Sequence, residues 1–155
     1  MFKLWLSNRV QLRRSLVMRP DLFVCFRNED AAIRLVESYV WPTGAVCPHC
    51  GESERTGELH GQSTPAGTRK CYSCRRLFSV RSTTIFESSH VPLHKWLEAL
   101  FLTNFGTEPI KPFQLSQAIN VSFKTAAQMQ ERIMRATEEC GLQSREASTG
   151  DGQEN

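Results

Sequence analysis

Four cysteines fall into two identical units, Cys47-Pro48-His49-Cys50 and Cys71-Tyr72-Ser73-Cys74, separated by twenty residues. Two residues between thiols let one tight turn aim both sulfurs at a single ion while its backbone N–H groups point back at them. Gly51, directly after the first pair, supplies the backbone freedom such a knuckle needs. Four thiolates complete a tetrahedron, so the spacing predicts that Cys47, Cys50, Cys71 and Cys74 hold one structural zinc ion with no position open to water. Two such rubredoxin-like knuckles on β-hairpins make a zinc ribbon. A module this small cannot bury enough apolar surface to fold alone, and coordination worth on the order of 10 kcal/mol replaces the missing core.

Competing chemistries fit less well. A disulfide framework needs an oxidising compartment, and no secretory signal is legible; a redox pair would stand singly at the start of a helix in a larger α/β fold. Cys25 and Cys140 have no partner at ligand spacing and read as apolar thiols. His49, His60, His90 and His94 read as surface residues, because four sulfurs already satisfy the ion.

The elements that must position these cysteines follow from periodicity and punctuation. "NEDAAIRLVESYV" reads as a helix with Asn28 as N-cap and Ile33, Val36 and Val40 on one face, ended by Trp41-Pro42. Short β-prone runs near "TRKCY", "LFSV" and "TTIF" lie between glycine and proline turns. After Pro92, Leu93, Trp96, Leu97, Leu100 and Phe101 recur at helical spacing as a core stripe. A short helix, a turn at Asn120 and a longer helix capped by Ser122 follow, with Leu115, Ala118, Ile119, Val121, Ala126, Met129 and Ile133 as their shared core.

The predicted class is therefore small α+β. Residues 1–27 form a basic extension, 28–86 a helix plus zinc ribbon, 87–139 a helical segment and 140–155 a disordered tail. Met18 is an alternative start to Met1. The 155 residues, 40% of them hydrophobic, are too few for a large enzyme core, and no apolar run is long enough to span a bilayer.

Charge is distributed unevenly around a net +3. Arg69, Lys70, Arg75, Arg76 and Arg81 occur in a stretch without a carboxylate, whereas Glu52, Glu54 and Glu58 cluster on the spacer. A zinc tetrathiolate is formally doubly negative, so the cations flanking Cys71 and Cys74 partly neutralise the metal site. The remainder, Arg81 most clearly, suit a phosphate backbone, since arginine's planar donor fork matches phosphate. The two helices around Asn120 have the layout of a helix-turn-helix, which makes Lys124, Thr125 and Gln128 the base-facing candidates. A protein-docking role for the ribbon, using its acidic strip and the apolar helix from Leu93 to Phe105, is the alternative from another class.

Trp41-Pro42, Gly44, Cys47-Pro48, Cys50-Gly51, Cys71, Cys74, Phe78-Ser79-Val80, Thr84, Phe86, Pro92-Leu93, Trp96, Gln114-Leu115, Val121-Ser122, Lys124-Thr125-Ala126, Met129 and Arg132-Ile133 form a pattern over about residues 28 to 136. In order and spacing it resembles the transposases of bacterial insertion sequences that carry an N-terminal zinc-ribbon domain ahead of an Asp-Asp-Glu/Asn catalytic domain. Thr83 stands where that family usually has glycine, Ala127 where it has an aromatic and Glu131 where histidine is frequent. The resemblance implies a zinc-dependent DNA-binding protein of the bacterial cytoplasm, associated with the nucleoid. Its implied partners are double-stranded DNA at element ends and intact transposase in a shared oligomer.

It also implies an Asp-Glu-Thr strand soon after Arg135, where "CGLQSREASTGDGQEN" has Asp151 alone in a polar tail. The expectation is a truncated transposase that binds element ends without the carboxylates that would hold two magnesium ions for strand cleavage. No catalytic residue is carried over.

Overall fold

The computed structural model describes the backbone of residues 21–148, except Gln62 and residues 106–108, with side chains from Phe23 to Glu139. The basic extension up to residue 20, the end of the tail from residue 149 and the Cys140 side chain lie outside the described residues. Among the described residues eight elements follow in order: α1 (Asp21–Cys25), α2 (Glu29–Val40), β1 (Thr56–Glu58), β2 (Arg69–Cys71), β3 (Leu77–Phe78), α3 (Leu93–Phe105), α4 (Pro112–Ala118) and α5 (Phe123–Ser148). The chain divides into two compact units, one from Arg19 to Glu98 and one containing the residues from Ala99 onward, so that α3 begins in the first and ends in the second.

In the first unit, α2 begins where its sequence says it should. The Asn28 side chain accepts the Ala31 N–H at 3.0 Å, and Glu29 and Asp30 occupy the first turn, where the helix dipole favours negative charge. Ala32, Ile33 and Val36 form its buried face. Gly67 lies against that face with φ +71°, and a Cβ there would come within 2.7 Å of Ile33 Cγ2. Only glycine lets the ribbon loop approach the helix so closely. Cys25 is a buried thiol whose Sγ donates to the Ala31 carbonyl, consistent with an apolar role.

The sheet is antiparallel in the order β1-β2-β3, with Gly57 opposite Lys70 and Lys70 opposite Leu77. Side chains alternate across it, so Cys71 and Phe78 point inward while Leu77 is exposed. The Trp41 ring, at the end of α2, meets Phe78 edge-on at 5.6 Å and closes the ribbon core. Strand β1, with a glycine and a glutamate, has weak intrinsic β preference and forms because β2 supplies its hydrogen-bond partners.

The "TTIF" run is not a strand. Residues 79–89 make successive turns, closed by Ser82 N–H to Ser79 O, Glu87 N–H to Thr84 O and Ser89 N–H to Phe86 O. The Thr84 hydroxyl bonds the Val80 and Arg81 carbonyls, which diverts backbone groups from any sheet ladder. Thr83 has φ +64°, a left-handed conformation that is costly for a β-branched residue. Phe86 and Trp96 pack edge-on at 5.5 Å beneath these turns, and the Trp96 indole donates to Ser89 Oγ.

Glu29 ties this unit together. Its carboxylate accepts the Leu93 and His94 N–H groups at 2.8 and 3.0 Å, capping α3, and also bonds the Arg81 guanidinium at 3.0 Å and His94 Nδ1 at 2.8 Å. His94 is thus a structural partner and not a surface histidine. Burial acts to raise the Glu29 pKa, but the two backbone N–H groups, the His94 ring and Arg81 outweigh it and hold the carboxyl below its ordinary value.

In the second unit, α4 starts with Pro112 at its first turn, and Gln114 Oε1 accepts the Lys111 N–H. Asn120 turns the chain with φ +50°, and Ser122 Oγ accepts the Thr125 N–H to cap α5. Leu115, Ile119, Ala126, Met129 and Ile133 are buried as expected, Val121 is half-buried, and Ala118 is exposed. Seven residues of α4 present only one face inward, and Ser116 takes the buried place beside Leu115. Helix α5 runs to Ser148, past residue 139 where the disordered tail was expected. Leu142, Gln143, Arg145, Glu146 and Ala147 favour helix strongly enough to carry it past Gly141.

Two outcomes test these assignments. Glu29→Ala is expected to destabilise the chain by about 2 kcal/mol in denaturant unfolding, through loss of a helix cap and of the partner of Arg81. Because the folded-state pKa of Glu29 is depressed, its contribution is present above pH 4.5 and fades as pH falls through that lower value, so the gap between wild type and variant should close in acid. Thr83→Gly, by relieving the left-handed strain, should raise stability by about 1 kcal/mol.

Candidate metal centre

Each knuckle is closed by its own backbone. In the first, the Gly51 N–H bonds the Cys47 carbonyl at 2.9 Å and the Cys47 N–H bonds the Glu52 carbonyl at 2.8 Å. In the second, the Cys71 N–H bonds the Arg76 carbonyl at 3.0 Å, and the Cys74 N–H points at Cys71 Sγ at 3.5 Å. The residue after each second cysteine is left-handed, Gly51 with φ +77° and Arg75 with φ +63°. The two turns thus share one geometry, which glycine adopts freely and arginine adopts at a cost.

β2 delivers Cys71 at its last residue, and the turn into β3 brings Cys74 back beside it. The first knuckle meets them across 27 residues from Cys47 to Cys74, at an Sγ–Sγ distance of 3.7 Å, and Cys50 lies 3.6 Å from Cys71. All four sulfurs lie within 4.8 Å of one another. A tetrahedral ion with sulfur bonds of about 2.3 Å requires sulfurs about 3.8 Å apart, so the four thiols fit such an ion. Cys47 and Cys71 are buried, Cys74 is half-buried and Cys50 faces solvent.

The electrostatics call for a cation. The Cys74 and Ser73 N–H groups and neighbouring thiols draw Cys71 down to about 7, with the Cys74 N–H the largest influence and desolvation acting against it. At Cys50 the Glu52 N–H acts to lower the pKa, but desolvation and the other three thiols push it up to about 12. Crowded thiols resist sharing negative charge, and a divalent ion among them removes that resistance. None of the four histidines joins the cluster. His49 Nε2 lies 3.4 Å from the Leu77 carbonyl, and His60 and His90 are exposed.

The basic residues around the centre do not share one fate. Arg69 bonds Glu37 at 3.1 Å, lies 3.8 Å from Glu58 and stacks over the Trp41 ring at 5.6 Å. Arg81 donates to the Ser89 and Val91 carbonyls and to Glu29. The expectation that Arg81 is the cation most clearly left for phosphate is therefore corrected, and Arg69 is engaged in the same way. Both are half-buried and paired with carboxylates of α2 that lie far from them in sequence. Arg75 and Arg76 are exposed and make no ion pair among the described residues, and Lys70 lies against the Tyr72 ring. In the second unit Lys124 and Gln128 are exposed near the start of α5, while the Thr125 hydroxyl is 2.8 Å from Ser122 Oγ. Glu29 organises Arg81, a pairing that the sequence, which places Glu29 in the first turn of a capped helix, does not reveal.

Four cysteines on two matched knuckles beside a three-stranded antiparallel sheet define a zinc-ribbon domain. Residues 27–77 match the model of the transposase zinc-ribbon domain family. The chain is also similar to an uncharacterized protein in transposable element ISH50 of Halobacterium salinarum, with 31% identity over 111 residues, which cover 72% of this chain. The chain spans about a third, 36%, of that relative's length. No solved structure matches it.

Cys71→Ser is expected to abolish stoichiometric metal uptake, whereas Cys25→Ser should leave it intact, as measured by elemental analysis of the purified chain. Because the ligands bind as thiolates, protonation competes with the metal, so release should grow as pH falls below about 6, with Cys71 at about 7 before metal binding.

Proposed function

We propose that this chain is the DNA-recognition part of a transposition protein, in which a structural zinc ion holds the ribbon and the ribbon and helical unit together contact double-stranded DNA at element ends. The observation that carries this reading is the exposed pair Arg75 and Arg76, directly after the last metal ligand of a transposase-type ribbon and without an internal carboxylate partner among the described residues. Arg75 keeps an unfavourable backbone conformation at a position where the first knuckle has glycine, which fits a side chain retained for an external contact.

Lys124 and Gln128 extend the reading to the second unit. They are exposed at the N-terminal part of α5, after a short helix and a tight turn, where a recognition helix reads the major groove. Thr125 supports the cap and contributes to DNA only through its remaining exposed surface. Four protein ligands leave the zinc ion no open position, so its role is structural and its chemistry when bound is to neutralise and hold the four thiolates. We assign no strand cleavage to the described residues. The cutting step belongs to carboxylates outside them, in further chain or in an associated transposase, at the DNA in the cytoplasm.

The protein-docking alternative relied on the acidic strip of the ribbon together with the apolar face of α3. Leu93, Trp96, Leu97, Ala99 and Leu100 of that helix are already buried, which favours the nucleic-acid reading.

Lys70, Arg75, Arg76 and Lys124 as phosphate contacts predict a log–log slope of duplex affinity against salt of about −3.6. The double change Arg75→Gln and Arg76→Gln should reduce that slope by about 1.8. A slope near zero for the wild type would overturn the assignment. Chelating the metal should abolish duplex binding together with the ribbon's NMR dispersion.

A further inference from the structure

The outer face of the ribbon sheet carries an arrangement that a duplex contact does not explain. Tyr72, the second residue of the second knuckle, is 51% exposed although its main chain is fixed by a 2.8 Å bond from its N–H to the Arg55 carbonyl. The hydroxyl end of its ring reaches Gly57 of β1: a Cβ at Gly57 would stand 3.1 Å from Tyr72 Cε2 and 3.2 Å from its Oη. Glycine at that position therefore makes room for the ring and seats it on the sheet. Lys70, opposite Gly57 in the register, brings its Nζ to 6.0 Å from the ring centroid, and exposed Leu77 is paired with Lys70 on the other side. Gly57, Lys70 and Leu77 thus form one outward row across all three strands, with an aromatic ring on it and with Arg75 and Arg76 at the adjoining turn.

Glu52, next to the first knuckle, is already engaged by the Ser73 hydroxyl at 2.7 Å and by the Glu54 and Arg55 N–H groups at 3.0 and 3.3 Å. The face therefore offers a half-exposed aromatic ring with Lys70 beside it and exposed Arg75 and Arg76 at the adjoining turn. A base pair inside a duplex hides its faces in the stack, so such a surface matches an unpaired base, whose phosphates the flanking cations reach.

We infer that the ribbon's outer face is a stacking site for an unpaired DNA base, with Tyr72 as its platform and Lys70, Arg75 and Arg76 on the neighbouring phosphates. This rests on the DNA-binding reading and names the form of DNA the ribbon takes. Tyr72 is a positioning and binding residue, without a chemical step.

The test uses the full zinc-loaded chain with a labelled oligothymidylate and, separately, a blunt-ended duplex. Tyr72→Leu should weaken oligothymidylate binding about ten-fold or more. Tyr72→Phe should stay within about two-fold of wild type, because the stacking face is kept. Duplex affinity and zinc content should be the same in all three proteins. Gly57→Ala, which pushes the ring off its seat, should reproduce the single-strand defect. If Tyr72→Leu leaves oligothymidylate binding unchanged, or weakens both DNAs equally, the stacking site is wrong. If the wild type binds the duplex and not the single strand, this inference falls alone; if it binds neither, the DNA-binding reading falls with it.

Discussion

Convergence of four sulfurs on one point is the constraint from which the ribbon follows. Its strands are three, three and two residues long, and its buried cluster consists of Cys47, Cys71 and Phe78, with Trp41, Ala45 and Cys74 packed against it. Two of the three buried side chains are ligands, so the interior of this module is largely the site itself. Strands this short do not hold a sheet by themselves, and the N–H to sulfur and turn bonds of each knuckle become useful only when the thiolates share an ion. The rest of the domain is arranged around that point, with Trp41 closing one side and the loop carrying Gly67 packed on α2.

Charge organises what the sulfurs do not. Glu29 and Glu37, both on α2, reach to Arg81 and Arg69 on either side of the second knuckle and anchor the ribbon and the following turns to the helix. At Glu29 the same carboxylate caps α3, so one side chain joins α2 to two segments that each lie more than fifty residues further along the chain. These pairs are half-buried, which makes their geometry restrictive even though the Coulomb energy of each is moderate. In the proposed DNA-binding role their effect is by subtraction. They engage two arginines and leave Arg75, Arg76 and Lys70 at the knuckle beside Tyr72.

The parts legible from sequence were those governed by local rules. Asn28, Ser122 and Asn120 announced a helix start, a second helix start and a turn, because capping and left-handed backbone depend on residues within a turn of each other. The cysteine spacing likewise encoded its own geometry. The β-prone residues of "TTIF" misled, since strand preference is realised only when a partner strand is present, and here the Thr84 hydroxyl and the left-handed Thr83 turn the chain instead. The resemblance had marked Thr83 as standing in a glycine position, and its φ of +64° supplies the physical meaning of that mark.

What the sequence determined by itself was the metal-binding pattern, the class of domain and the order of the helices around it, because each rests on spacings of a few residues. Tertiary structure alone decided which arginines are available. The run from Arg69 to Arg81 contains no acid, yet two of its members meet acids delivered by α2 from more than thirty residues away, and no local pattern records such a meeting. It also decided that Tyr72 stands on Gly57, a contact fixed by the register of β1 on β2, which depends on where the four sulfurs pull the two knuckles together.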